Sequence, residues 1–172
     1  MSVEIIKILR RFLIITVIQI FILKYINIGW EGEVYIKIFL YPLFVMLIPV
    51  SIPRILVILI AFGFGLLLDM FYDAPGLHTF AFVFIAWIRK TILKFLEPID
   101  GYKTDSSLTM YNFGFTWFLT YSSILTFINV FLYFMMEAFA FQFLPEIIIK
   151  TTLSFILSEI VIILYMIILN PK

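Results

Sequence analysis

The sequence predicts an all-α, polytopic integral membrane protein: six transmembrane helices in one bundle, the second of them short and Pro-kinked. Three observations lead there. Of 172 residues, 64% are hydrophobic and 13% charged, with a mean hydropathy of +1.15, which leaves too little polar surface to coat a soluble globule. Residues 106–136 contain no Asp, Glu, Lys or Arg, a run longer than the about 20 apolar residues that cross a bilayer. The Lys and Arg residues, finally, are divided unevenly between alternate connections, as in chains whose basic loops stay in the cytoplasm.

The first span is expected at about 12–28, preceded by Lys7, Arg10 and Arg11. No small-residue cleavage site follows it, so it reads as a retained span and not a signal peptide. IGWEGEV is a short polar connection with Trp30 at interfacial depth. The second span, about 36–52, contains Pro42 and Pro49 and ends at Pro53. Each proline removes an amide donor, which predicts a broken or tilted helix, or a re-entrant segment. Span three runs over 54–72 and span four over 77–95, joined by a turn built from Asp73, Pro75 and Gly76. Residues 94–107 form the one long hydrophilic connection; spans five and six follow at about 110–134 and 147–169. The whole chain, 1–172, reads as a single transmembrane domain.

With the N-terminus inside, Lys7, Arg10, Arg11, Arg54, Arg89, Lys90, Lys94, Lys103 and Lys172 fall on the cytoplasmic side. Lys24, Lys37 and Lys150 fall outside. Both termini are then cytoplasmic, and the 73–77 turn faces outward with Asp69, Asp73 and His78 near it. A net charge of +1 carries no nucleic-acid signal, and the absence of cysteine removes disulfides, thiolate zinc sites and cysteine nucleophiles together. A single histidine excludes a multi-histidine site within one chain.

The unusual polar residues gather at the hairpin of spans three and four. A carboxylate at Asp69 in a lipid-facing position would cost roughly 2.5–3.5 kcal/mol, so it is expected to face protein or interfacial water. Asp69, Asp73 and His78 have the composition of a one-histidine, two-carboxylate metal site. The stronger reading is that a carboxylate pairs with the imidazole, or caps the first amides of span four. Ala61 and Gly65 share a face on which a neighbouring helix can approach, while Gly63 lightens another. Gly63 and Gly65 followed by an aspartate resemble the signature of intramembrane aspartyl proteases, but there the aspartate directly follows the second glycine, where this chain has Leu66. Arg89 reads as a cytoplasmic anchor, continued by Lys90 and Lys94.

Span five carries a polar stripe of Thr116, Thr120, Ser122, Ser123, Thr126 and Asn129. Span six answers with Thr151, Ser154, Ser158 and Glu159. Glu159 lies roughly 18 Å along its span, near mid-bilayer. Two readings stand side by side: a proton, ion or partner-helix site, or a protonated carboxyl bonded by Gln19 or the span-five hydroxyls.

The run GFGLLLDMFYDAPGLHTFAFVFIAWIRKTILKFLEP, with YPLFVMLIP before it at 41–49, resembles the central region of MreD, the bacterial rod shape-determining membrane protein, in the form found in Bacteroidetes. The likeness covers about 41–101 and centres on Gly65, Leu68, Asp69, Gly76, Leu77 and His78. It implies a non-enzymatic subunit of the cell-elongation machinery in the cytoplasmic membrane. Such a subunit binds an MreC-type single-span protein and couples MreB filaments, indirectly, to a RodA-type peptidoglycan polymerase and its transpeptidase partner. The resemblance gives Asp69 and His78 no chemical role and implies no cofactor. The six-span layout is also similar to the small-solute-binding subunits of energy-coupling-factor transporters, which would place Glu159, Gln19, Asn129 and the span-five hydroxyls around a pocket. An enzyme ranks third, since no activated nucleophile or general-base pair can be named.

Overall fold

The computed structural model describes residues 2–26, 28–30, 33–99, 101–102, 108–139 and 143–169. Lys103, Lys172 and position 140, between the expected fifth and sixth spans, lie outside them. The chain is mainly helical: α1 (Ser2–Phe21), a 3-10 turn (Leu23–Tyr25), a hairpin of β1 (Ile28–Trp30) and β2 (Glu33–Ile36), α2 (Pro42–Met46), α3 (Arg54–Tyr72), α4 (Leu77–Phe95), α5 (Met110–Phe113), α6 (Phe115–Ala138) and α7 (Leu144–Leu169). Three of these, α3, α6 and α7, are long and apolar enough to cross a membrane. The strands pair antiparallel, with an irregularity between Ile28 and Gly29, where the sequence reading expected only a polar connection.

The ends of α3 and α4 fall where the sequence puts them because the local chemistry leaves no alternative. Pro53 stands as N-cap of α3, where its missing amide costs no helical bond. Asp73 ends α3 in the left-handed conformation at φ 50°, its amide donating to the Asp69 carbonyl, and Gly76 opens α4 at φ 85°. Elsewhere the limits move. α1 stops at Phe21, short of the expected 28. Gly114, at φ 85°, splits the fifth segment into α5 and α6. α7 begins three residues before the expected 147, with Pro145 in its first turn, where proline is tolerated.

The second segment departs most. In place of a Pro-kinked helix over 36–52, the chain leaves β2 as an extended run, makes five helical residues at Pro42–Met46, and continues without helix to α3. Pro42 sits at the start of α2, while Pro49 and Pro53 deny amides to any continuation. Ile38, Phe39, Leu40, Tyr41, Leu43, Phe44, Val45, Met46, Leu47 and Ile48 are all buried. Around them α3 packs on α4, α4 on α6 and α6 on α7.

A buried non-helical backbone must find partners for every amide and carbonyl, since lipid supplies none. Polar side chains of the surrounding helices supply them here. Gln19 of α1 accepts from the Leu40 amide at 2.7 Å and the Tyr41 amide at 3.3 Å, and donates to the Ile38 carbonyl at 3.0 Å. Two serines of α7, one turn apart, take alternate amides of the extended run: Ser154 accepts from Lys37 at 3.0 Å and Ser158 from Phe39 at 2.8 Å. At the far end Arg11 donates to the Leu47 carbonyl at 3.3 Å, Arg89 to the Ile48 carbonyl, and Tyr121 to the Met46 carbonyl at 3.4 Å. Beyond α4, burial pushes the Tyr102 phenol up to about 12, so it stays protonated and donates to the Leu93 carbonyl at 2.8 Å.

Candidate functional site

Asp69 sits in the last turn of α3, 7% exposed, and its carboxylate reaches across the turn to the start of α4. One oxygen accepts from the His78 amide at 2.9 Å. The other takes the Gly76 amide at 3.1 Å, the Thr79 amide at 3.1 Å and the Thr79 hydroxyl at 2.5 Å. These are leading amides of α4, which no cap residue of its own serves. A carboxylate placed there satisfies orphan donors and meets the positive end of the helix dipole. Of the readings drawn from sequence, the structure selects the cap.

The other candidate metal ligands are not brought to that carboxylate. Asp73 is exposed and forms the end of α3. The His78 ring is fully buried, and neither nitrogen meets a hydrogen-bond partner among the described residues. Rings of Tyr72 and Tyr133 lie at 4.7 and 4.8 Å from it, with Tyr41 at 5.3 Å and Phe39 at 6.1 Å. Among the described residues no group of three or more His, Asp or Glu is placed to hold a metal.

Gly65 lets α3 and α4 meet: a Cβ there would stand 2.5 Å from the Thr79 Cα. Its small face is therefore used within the chain. Gly63 is exposed, and a Cβ there would meet nothing within 4 Å. It lies on a surface with Leu59, Phe62, Leu66 and Met70, all exposed.

Arg89 corrects the anchor reading. It is 5% exposed and donates through Nε to the Tyr121 hydroxyl at 3.0 Å and through Nη2 to the Ile48 carbonyl, so it is held by the fold and does not extend as a free anchor. Arg11 acts alike on the preceding carbonyl. Glu159, 6% exposed, accepts from the Ser122 hydroxyl of α6, so a span-five hydroxyl meets it and Gln19, engaged elsewhere, does not. Asn129 donates to the Tyr41 hydroxyl at 2.9 Å.

Three recesses stand out among the described residues. One of about 360 Å³ adjoins the turn, lined by Lys24, Lys37, Tyr72, Tyr133 and Glu137 among others. There Lys37 pairs with Glu137 at 2.5 Å and Lys24 donates to the Phe71 carbonyl at 2.5 Å. A second, about 240 Å³, lies between the end of α6 and the start of α7. The third, about 160 Å³, is at the opposite end, between the start of α3 and the last turns of α4. Gln19, Asn129 and Glu159 are not among the residues lining these three recesses.

The polar residues of the helices thus hold backbone and helix ends, which defines a class: a helical protein with membrane-length apolar helices folded around a buried, non-helical segment. No protein-family model, curated protein or solved structure matches the chain.

Proposed function

We propose that the chain is a non-enzymatic membrane subunit of the bacterial cell-elongation complex, of the MreD kind. It crosses the cytoplasmic membrane with both termini inside and binds an MreC-type single-span protein. The observation that carries this reading is the fate of the residues on which the resemblance rests. Gly65, Asp69, Gly76 and His78 converge on one joint between α3 and α4, where Gly65 sets the approach to Thr79 and Asp69 caps the helix. Their work there is architectural, as a scaffold requires. The partner's helix would dock on an outward apolar face such as that around Gly63, because helices in lipid associate through close packing at small residues. The test is copurification from native membranes together with depletion. The subunit should be recovered with the single-span partner, and its loss should turn rod-shaped cells round. Recovery alone, or with an ATPase module, from membranes still containing that partner would overturn the reading.

A second reading, a small-solute-binding subunit of an energy-coupling-factor-type transporter, is favoured by the recess of about 360 Å³ beside the turn, which combines two lysines, two tyrosines and a glutamate. Tight binding of a vitamin-like solute, abolished by Lys37→Ala, would establish it in place of the scaffold.

A further inference from the structure

The geometry points to an anion site at the basic end of the α3–α4 pair, built to hold a phosphate group carried by a lipid headgroup or free in solution. The recess of about 160 Å³ is lined by residues 50–54 and Val57 on one side, and by Ala86, Arg89, Lys90 and Leu93 on the other. Three of its lining side chains are cationic and none is acidic.

Each cation is held differently. Arg89 is fixed from behind by the Tyr121 hydroxyl and the Ile48 carbonyl, a buried charge that pairs with no carboxylate among the described residues. Arg54 lies over the Trp87 ring at 4.9 Å and donates Nη2 to the Trp87 carbonyl at 2.6 Å, while its Nε is buried and meets no partner among the described residues. That guanidinium is held in place by the ring and the carbonyl, and its fixed charge adds to the positive field of the recess. Lys90 is exposed and adds a mobile charge at the mouth. α3 also begins at this recess with no side-chain cap and no acid in its first turn, so its dipole adds to the positive field. Basic pockets between membrane helices on the cytoplasmic side are where anionic headgroups bind. The site is formed by residues 50–53 with α3 and α4 and serves a scaffold or a transporter subunit equally.

The full chain, purified in detergent, is titrated with phosphatidylglycerol, phosphatidylcholine and inorganic phosphate, and binding is read by native mass spectrometry. Phosphatidylglycerol should bind one to one in preference to phosphatidylcholine, and Arg54→Gln with Lys90→Gln should weaken it roughly 10- to 30-fold. Lys94→Gln, which removes a base of the same edge outside the recess, should leave it unchanged. If the double variant does not fold, Lys90→Gln alone should cost about fivefold. One-to-one binding of inorganic phosphate that the variants lose, without preference between the lipids, would identify free phosphate as the source. Equal binding of both lipids with none of phosphate, or a loss in Lys94→Gln as large as in the recess variants, would overturn the site.

Discussion

Both donors of Thr79, its amide at 3.1 Å and its hydroxyl at 2.5 Å, converge on a single oxygen of Asp69. The second oxygen holds the His78 amide, so the carboxylate ties the end of α3 to the start of α4. Asp69→Asn keeps one acceptor oxygen for the three-donor side and turns an amide group toward His78, a cost of about 1–3 kcal/mol. Asp69→Leu strands every one of those donors and should be several-fold worse, with the protein failing to accumulate. Thermal unfolding in detergent orders the two variants. Equal and complete loss of function in both at normal protein levels would show that the charge itself is used.

Gly65 and Gly63 should respond oppositely to the same change. A methyl at Gly65 meets the Thr79 backbone at 2.5 Å, which only separation of the helices relieves, so Gly65→Ala should destabilise by about 1–3 kcal/mol. Gly63→Ala meets nothing within 4 Å and should stabilise α3 by up to about 1 kcal/mol through helix propensity. The same melting measurement decides, and a reversed order would mean that α3 and α4 are not in this register.

How far the sequence could be read depended on whether local chemistry or tertiary partners set the backbone. α3 and α4 were legible to the residue, because Pro53 and the Asp73 to Gly76 turn punctuate them whatever lies around. The 37–49 segment was not, since hydropathy registers that a run is apolar and is blind to whether its amides are bonded within it. The signal lay in the complement: Gln19, Ser154 and Ser158 are acceptors inside other spans, and the segment they serve contains prolines that forbid a regular helix. Sequence alone sets Ser154 and Ser158 against the span-five stripe and Gln19 against Glu159, because their actual partners are 19 or more residues away in sequence. Arg89 reads as an anchor for the same reason, since sequence shows a charge at a membrane edge and not the carbonyl behind it.

That complement makes a prediction of its own. Ser158→Ala removes the acceptor of the buried Phe39 amide and should cost about 1–3 kcal/mol, and Gln19→Leu, which strands three backbone groups, should cost more. Thr152→Ala, whose exposed hydroxyl bonds only within its own helix, should be neutral within about 0.5 kcal/mol. Limited proteolysis should then cut the 37–49 segment in the first two variants and spare it in the third. Uniform resistance would show that the segment does not depend on these side chains.

The proposed topology is open to direct labelling, since the native chain has no cysteine. Ala74 lies in the turn and Ile99 beyond the end of α4, where it is exposed. In intact cells an impermeant thiol reagent should modify Ala74→Cys and leave Ile99→Cys until the membrane is permeabilised. The reverse pattern would invert the orientation, and with it the assignment of the Arg54, Arg89 and Lys90 recess to the cytoplasmic side.

Glu159 separates a structural carboxyl from a working one. The Ser122 hydroxyl donates to it between α6 and α7, and a glutamine places an acceptor oxygen in the same position with no charge to bury. The other carboxyl oxygen is buried without a partner among the described residues, so the amide nitrogen of Glu159→Gln should cost about 1–3 kcal/mol, and the variant should still fold and sustain rod shape in a depletion strain. Glu159→Leu leaves the Ser122 donor without that acceptor, although the hydroxyl also bonds the Leu119 carbonyl at 3.2 Å. The expected loss is therefore small, about 1 kcal/mol. Cells that lose their shape with a fully folded Glu159→Gln protein would show that ionisation of this carboxyl is required, and a proton or ion site would have to be added to the scaffold.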